Sequence, residues 1–235
     1  MRAPIDARLL GDGPLAAEAD ALWAKGYQEI GIPLIYRGAT LEGDRAGVVQ
    51  VREFMEEWGK CLLLLGDPGV GKTFASAAAI HQEFYRRIRI IDPNVGFVKT
   101  DDPVVLAKRA AYITSRTKLE CPGAEFYRFV YLPKLLNQYF DPARRPEALK
   151  ALTMPFLVLD DLGTEYLKDG GMAESFLDEL FYEREANRRT TIITTNLNAQ
   201  QLTERYSPRI IDRLRGGWGS AFVIDGPSLR HQEAA

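Results

Sequence analysis

Eight consecutive residues, Gly66-Asp67-Pro68-Gly69-Val70-Gly71-Lys72-Thr73, follow the pattern G-x-x-x-x-G-K-[ST]. The chemistry of that spacing is phosphate binding. Glycines leave no Cβ to stop backbone N–H groups from curling around phosphate oxygens. A helix that begins where such a loop ends adds free N–H donors and the positive end of its dipole. Lys72 offers an ammonium to the β and γ phosphates of a nucleotide, and the Thr73 hydroxyl offers a ligand to Mg²⁺. The apolar run Cys61–Leu65 comes immediately before the loop, and helical spacing at Ala77, Ile80 and Phe84 follows it. That strand–loop–helix setting separates a phosphate loop from a glycine-rich turn that merely opens a helix.

A second site must supply carboxylates. Phe156-Leu157-Val158-Leu159-Asp160-Asp161 does so at the end of an apolar run. Asp160 closes the strand and so belongs at the carboxyl edge of a parallel sheet, where such folds bind ligands. Its expected role is to hold Mg²⁺ through water. Asp161, the next residue, points elsewhere. It is the first choice for a general base, with Glu165 the second and a plain strand-end cap the alternative. Asn196 ends the run Thr190–Thr195, where an amide side chain can sense the γ-phosphate or the attacking water, or simply cap a turn. Ser207-Pro208 reads as an N-cap and first helical residue, and Gly216-Gly217 as the stop. Arg209 and Arg213 lie four apart on that helix and share a face. Arg213 is the candidate to reach a neighbouring subunit's nucleotide as an arginine finger. The alternative is a solvated basic face paired with Asp212 and Glu204.

These side chains need a scaffold. Leu15, Ala19, Leu22 and Ala24 suggest a short helical arm within residues 1–30, started by Pro14. A loop at 31–40 leads to a helix over 47–58. Strands are expected at Cys61–Leu65, Phe126–Leu132, Phe156–Leu159, Thr190–Thr195 and Ala221–Ile224, and helices at 74–87, 134–140 and 173–187. Alternating strands and helices call for a parallel α/β sheet of five strands with right-handed crossovers. The domain spans residues 31–230. Residues 88–125 break the alternation and carry Lys99, Lys108, Arg109, Arg116 and Lys118. They read as a solvated surface insertion, with a basic element against nucleic acid or a neighbouring subunit as the second reading.

Composition narrows the class. The chain has 235 residues, 46% hydrophobic, and a net charge of -2. That is ordinary for a packed globule and excludes a uniformly basic nucleic-acid binder, though not a local basic face. Its apolar runs fall far short of the roughly 20 residues that span a bilayer. No signal-peptide core follows Met1, and two cysteines and two histidines are too few and too scattered for a zinc site. A reduced, cytoplasmic protein without a membrane anchor is expected.

The motifs together resemble a family. Gly31-Ile32-Pro33-Leu34-Ile35-Tyr36-Arg37-Gly38-Ala39-Thr40-Leu41-Glu42 is similar to the segment that precedes the phosphate loop in helicase-loader ATPases. Residues 157–165 resemble their Walker B motif, Thr194-Thr195-Asn196 their sensor 1, and Ile211-Asp212-Arg213-Leu214 the box that bears their arginine finger. The match is to the DnaC/DnaI helicase loaders and the related IstB transposition helpers, within the AAA+ ATPases. It implies a P-loop AAA+ core with a small or absent lid, binding ATP and Mg²⁺ and assembling as a nucleotide-dependent homo-oligomer. It further implies single-stranded or duplex DNA, and a replicative helicase or a transposase, as partners. By the same analogy Asp161 stands where the AAA+ catalytic glutamate usually does, and Arg230 marks a sensor 2-like position. Two other classes fit the phosphate loop alone: a small-molecule kinase, which would run as a monomer, and a nucleotide-binding adaptor without turnover.

Overall fold

The computed structural model describes residues 14–87, 89–91, 118–120, 125–165 and 171–229. Helix α1 (Pro14–Ile30) lies where a helical arm is expected, but its Ala19, Trp23, Tyr27 and Ile30 are buried in one core with the sheet and helices that follow; a short 3-10 turn (Leu34–Tyr36) interrupts the loop after it. Then follow α2 (Ala46–Phe54), β1 (Cys61–Leu65) and α3 (Lys72–Arg86). The strands β2 (Arg89–Ile91) and β3 (Lys118–Glu120) pair antiparallel as a separate two-stranded sheet. The remainder of the expected insertion lies outside the described residues, as do Arg230, Cys121 and His231. The chain continues through β4 (Tyr127–Tyr131), α4 (Leu132–Phe140), α5 (Arg145–Thr153), β5 (Phe156–Leu162) and α6 (Met172–Ala186). It closes with β6 (Thr190–Thr195), α7 (Ala199–Arg205), α8 (Pro208–Arg215) and β7 (Gly219–Val223).

Five strands form one parallel sheet in the order β4-β5-β6-β1-β7. Period-two alternation divides their side chains between two apolar layers. Leu62, Leu64, Phe156, Val158 and Ile192 face α1, α2 and α3. Cys61, Leu63, Leu65, Leu157, Leu159 and Ile193 face α4, α5, α6 and α8. A strand covered on both faces must be apolar throughout, which is why β1 reads as an unbroken run. Cys61 is one of these core residues, and burial pushes its thiol pKa well up, so it stays protonated.

The structure corrects several boundaries. The helix expected over 47–58 ends at Phe54. Gly59 adopts a left-handed φ of 85° and its N–H donates to Thr190 Oγ1 at 2.9 Å, so the chain must turn into β1 before another helical turn forms. Trp58 therefore lies outside the helix, and the Arg87 guanidinium sits 4.5 Å from its ring centre and 4.4 Å from that of Phe126. Helices α5 and α7 were not expected. The α7 start is a capping box, in which Asn198 accepts from the Gln201 N–H and Gln201 accepts from the Asn198 N–H. Ser207 makes no side-chain cap for α8, and its N–H donates instead to Glu174 Oε1 at 2.7 Å.

Arg184 is fully buried on α6. Its guanidinium donates to the carbonyls of Ala151, Met154 and Thr190 and to Thr191 Oγ1, at 2.7–2.9 Å. Burial lowers its pKa to about 9, which leaves it charged at neutral pH. It joins the end of α5 to the start of β6. Arg184→Ala leaves those acceptors without donors and opens a cavity, so a loss of about 3–5 kcal/mol is expected in urea unfolding. A loss below about 1 kcal/mol would show that the carbonyls find other donors.

Candidate nucleotide site

Sheet topology places the ends of β1, β5 and β6 side by side, and the chemistry-bearing residues sit on those ends. The loop after β1 curls tightly. A side chain on Gly66 would collide with the Ile224 carbonyl, and one on Gly69 with Ser228, while both glycines hold a positive φ (149° and 92°). The segment after β7 thus lies directly against the loop, tied to it by Leu229 N–H donating to Gly69 O at 2.9 Å. Helix α3 begins at Lys72, two residues earlier than its apolar spacing suggested, so Lys72 and Thr73 belong to its first turn.

Lys72 is buried, and its ammonium donates to Gly66 O (2.7 Å), Asp67 O (2.9 Å) and Asn196 Oδ1 (2.9 Å). Asn196 in turn donates through Nδ2 to Asp161 Oδ1 at 3.3 Å. Thr73 Oγ1 donates to Asp160 Oδ1 at 3.0 Å, and Thr194 Oγ1 donates to the same oxygen at 2.7 Å. A cleft of about 300 Å³ is lined by Tyr36, Pro68, Gly69, Gly71, Lys72, Thr73, Asp161 and Asn196. Three sequence motifs, from β1, β5 and β6, therefore converge on one cleft. Tyr36 joins them from the 3-10 turn; its sequence segment stood out only through the family resemblance, which gave Tyr36 no role.

The two aspartates differ in setting. Asp160 is buried, with 7% of its surface exposed. Burial is the largest cause raising its pKa to about 6. The charge of Asp161 raises it further, while hydrogen bonds from Thr194 and Thr73 and the charge of Lys72 oppose the rise. Asp161 sits at a register irregularity between β5 and β6, with a left-handed φ of 60°. Its N–H donates to Thr194 Oγ1 at 3.0 Å, and its side chain lines the cleft. The bulge explains how neighbouring aspartates face different ways: one turns into the sheet end, the other toward the cleft.

Because Asp160 is displaced upward from 3.8 to about 6, the folded state holds its proton more tightly than the unfolded chain does. Its contribution to stability is full below pH 3.8 and is lost as pH rises through about 6. The loss amounts to about 3 kcal/mol. Asp160→Asn abolishes that titration. In metal-free buffer the variant should gain on the wild type between about pH 4 and pH 6.5, read from urea midpoints. A gap independent of pH would contradict the assignment.

Two expected residues lie elsewhere. Glu165 does not line the cleft. Its side chain is 1% exposed and accepts from Tyr206 Oη (2.5 Å), Arg205 Nε (3.2 Å) and the Gly163 N–H (2.8 Å). Arg205 also donates to the Glu165 carbonyl. A carboxylate tied by that many donors holds the loop after β5 against α7 and is poorly placed to accept a proton from water. Arg213 shares a face with Arg209, as expected, but its partners are on α6. It donates to Asp178, pairs with Glu185 Oε2 at 3.4 Å, and lies 5.1 Å from the Tyr182 ring centre. The expected Asp212 and Glu204 are not those partners. Arg213 is 15% exposed, whereas Arg209 is 75% exposed. A reach toward a neighbour by Arg213 first requires release from Asp178.

The residues fit a magnesium nucleotide. The glycine loop leaves a cradle that Cβ atoms would fill, and a hydroxyl and a carboxylate stand 3.0 Å apart beside it. No group of three or more His, Cys, Asp or Glu among the described residues forms a metal cage.

Phosphate loop, strand order and helices on both faces define a P-loop fold of the AAA+ type. Solved structures with this fold include the DnaC helicase loader (TM-score 0.56, 22% identity, covering 82% of this chain and all of that one). DnaI is similar too, at TM-score 0.56 and 24% identity over 86% of this chain and 98% of that one. The replication initiator DnaA, bound to AMPPCP and single-stranded DNA, matches with TM-score 0.55 and 17% identity, over 84% of this chain and 52% of its own. No protein-family model matches the sequence. No curated protein matches it. Among the described residues no helix is long and apolar enough to cross a membrane.

Proposed function

We propose that this chain is a Mg²⁺-dependent ATPase of the AAA+ type that acts on DNA as a helicase-loader-like replication protein. The observation that carries the reading is the convergence of Lys72, Thr73, Asp160, Asp161 and Asn196 at one sheet edge. Backbone amides of the loop and the Lys72 ammonium bind the phosphates. Thr73 and Asp160 would hold Mg²⁺, which when bound neutralises charge on the phosphate oxygens. Asp161 accepts the proton of the attacking water, and Asn196, bonded to both Lys72 and Asp161, orients that water.

DNA and the helicase enter by likeness to a helicase loader and to an initiator bound to single-stranded DNA. The alternative partner is a transposase, as in the IstB helpers. ATP turnover and particle size, measured with and without single-stranded DNA, test the proposal. Magnesium-dependent phosphate release and nucleotide-dependent assembly are expected; a monomer that phosphorylates a small molecule would overturn the reading. Co-purification with a hexameric helicase, against a transposase, separates the partners.

A further inference from the structure

We propose that the outer edge of β7 docks an extended segment of a partner protein carrying basic side chains, which joins the sheet as an additional strand. The sheet ends on β7. Trp218 O accepts from Cys61 N–H at 2.8 Å, and Ile224 N–H donates to Leu65 O at 2.7 Å. In a parallel ladder, bonding residues alternate. Ser220 and Phe222 therefore also bond toward β1, and Ala221 and Val223 turn their N–H and C=O groups outward. Among the described residues no strand pairs with them.

The strand is Gly-Ser-Ala-Phe-Val, with no charge and no proline to protect it, and Phe222 and Val223 are 37% and 64% exposed. Such an edge is a template for another strand. Beside it runs a groove of about 270 Å³ between α2 and β7, lined by Gln50, Glu53, Phe54, Glu57, Lys60 and Phe222 among others.

The groove selects its occupant. Phe54 and Phe222 supply apolar walls. Gln50 Oε1 is buried and has no hydrogen-bond donor among the described residues. Glu57 is shared with Lys60 at 2.6 Å, while Glu53 is exposed and makes no ion pair among the described residues. An open acceptor and an open carboxylate call for N–H donors and cations. A second copy fits less well: the strand it would add, Gly-Ser-Ala-Phe-Val, carries no cation to meet Glu53.

The test is fluorescence anisotropy of the full chain with an acetylated, fluorescein-labelled peptide of alternating lysine and valine. Two further peptides carry N-methyl groups on alternate amides, one in each parity. Saturable binding is expected, weakened about tenfold or more by N-methylation in one parity and little changed in the other. Glu53→Lys should weaken it by about tenfold. Ala221→Pro, which removes an outward N–H, should do the same. If that variant fails to fold, the N-methylated pair still decides. Three results would overturn the proposal: no saturable binding, equal binding of both N-methylated peptides, or a dimer by sedimentation that Ala221→Pro dissolves, which would identify a second copy as the occupant.

Discussion

Lys72→Ala is expected to remove nucleotide binding, with affinity falling by about 1,000-fold or more. The ammonium is not a loose surface charge. It is buried and makes three hydrogen bonds, to two carbonyls of its own loop and to the Asn196 amide oxygen. Truncation deletes the positive charge that faces the phosphates, and it leaves those three oxygens without their donor. Each charge-assisted bond is worth about 1.5–3 kcal/mol, so losing two of them toward phosphate costs about 3–6 kcal/mol, a range that brackets the roughly 4 kcal/mol of that factor. Titration calorimetry with ATP and Mg²⁺ reads the affinity, and a thermal melt separates lost binding from lost folding. Tight binding retained by a folded Lys72→Ala would remove the phosphate-loop assignment.

Asp161→Asn should keep binding and lose turnover by about 100- to 10,000-fold, the range of a removed general base. The backbone makes this substitution a clean one. Asp161 holds a left-handed φ of 60°, which asparagine adopts readily and most other residues do not. Its N–H bond to Thr194 needs only the backbone, and the amide oxygen of asparagine can still accept from Asn196. Fold and cleft shape are therefore conserved while proton acceptance is not. Single-turnover phosphate release beside equilibrium binding separates the two. Unchanged turnover would take the base role from Asp161. Glu165→Gln is then the variant to compare, with loosening of the Tyr206 and Arg205 contacts as its own expected effect.

Local pattern made the scaffold legible. Cys61–Leu65 falls where its apolar run places it, because a parallel strand buried on both faces leaves an unmixed signature, and Thr190–Thr195 falls where its unbroken run of β-branched residues does. The loop, Asp160, Asp161 and Asn196 were readable for a related reason: the loop and Asn196 follow directly from strand ends, and the two aspartates lie in the last three residues of β5. Helices α5 and α7 were missed because both are short, largely exposed and mixed in composition, so no clear period shows. Roles fixed by distant partners were the least legible. Glu165 is tied to residues 40 and 41 positions on, and Arg213 to Asp178, 35 positions back. No local spacing encodes such pairs; the crossing of α6, α7 and α8 creates them. The bulge at Asp161 was equally hidden, although two adjacent carboxylates pointing different ways were expected.

A crystal structure of the chain with AMPPCP and magnesium tests the central claim most directly. Phosphate oxygens should lie within hydrogen-bond distance of the amides after Pro68 and of Lys72 Nζ, with the cation against Thr73 Oγ1 beside Asp160. A triphosphate bound elsewhere, or the Lys72 ammonium still closed onto Gly66, Asp67 and Asn196 with no phosphate beside it, would contradict it.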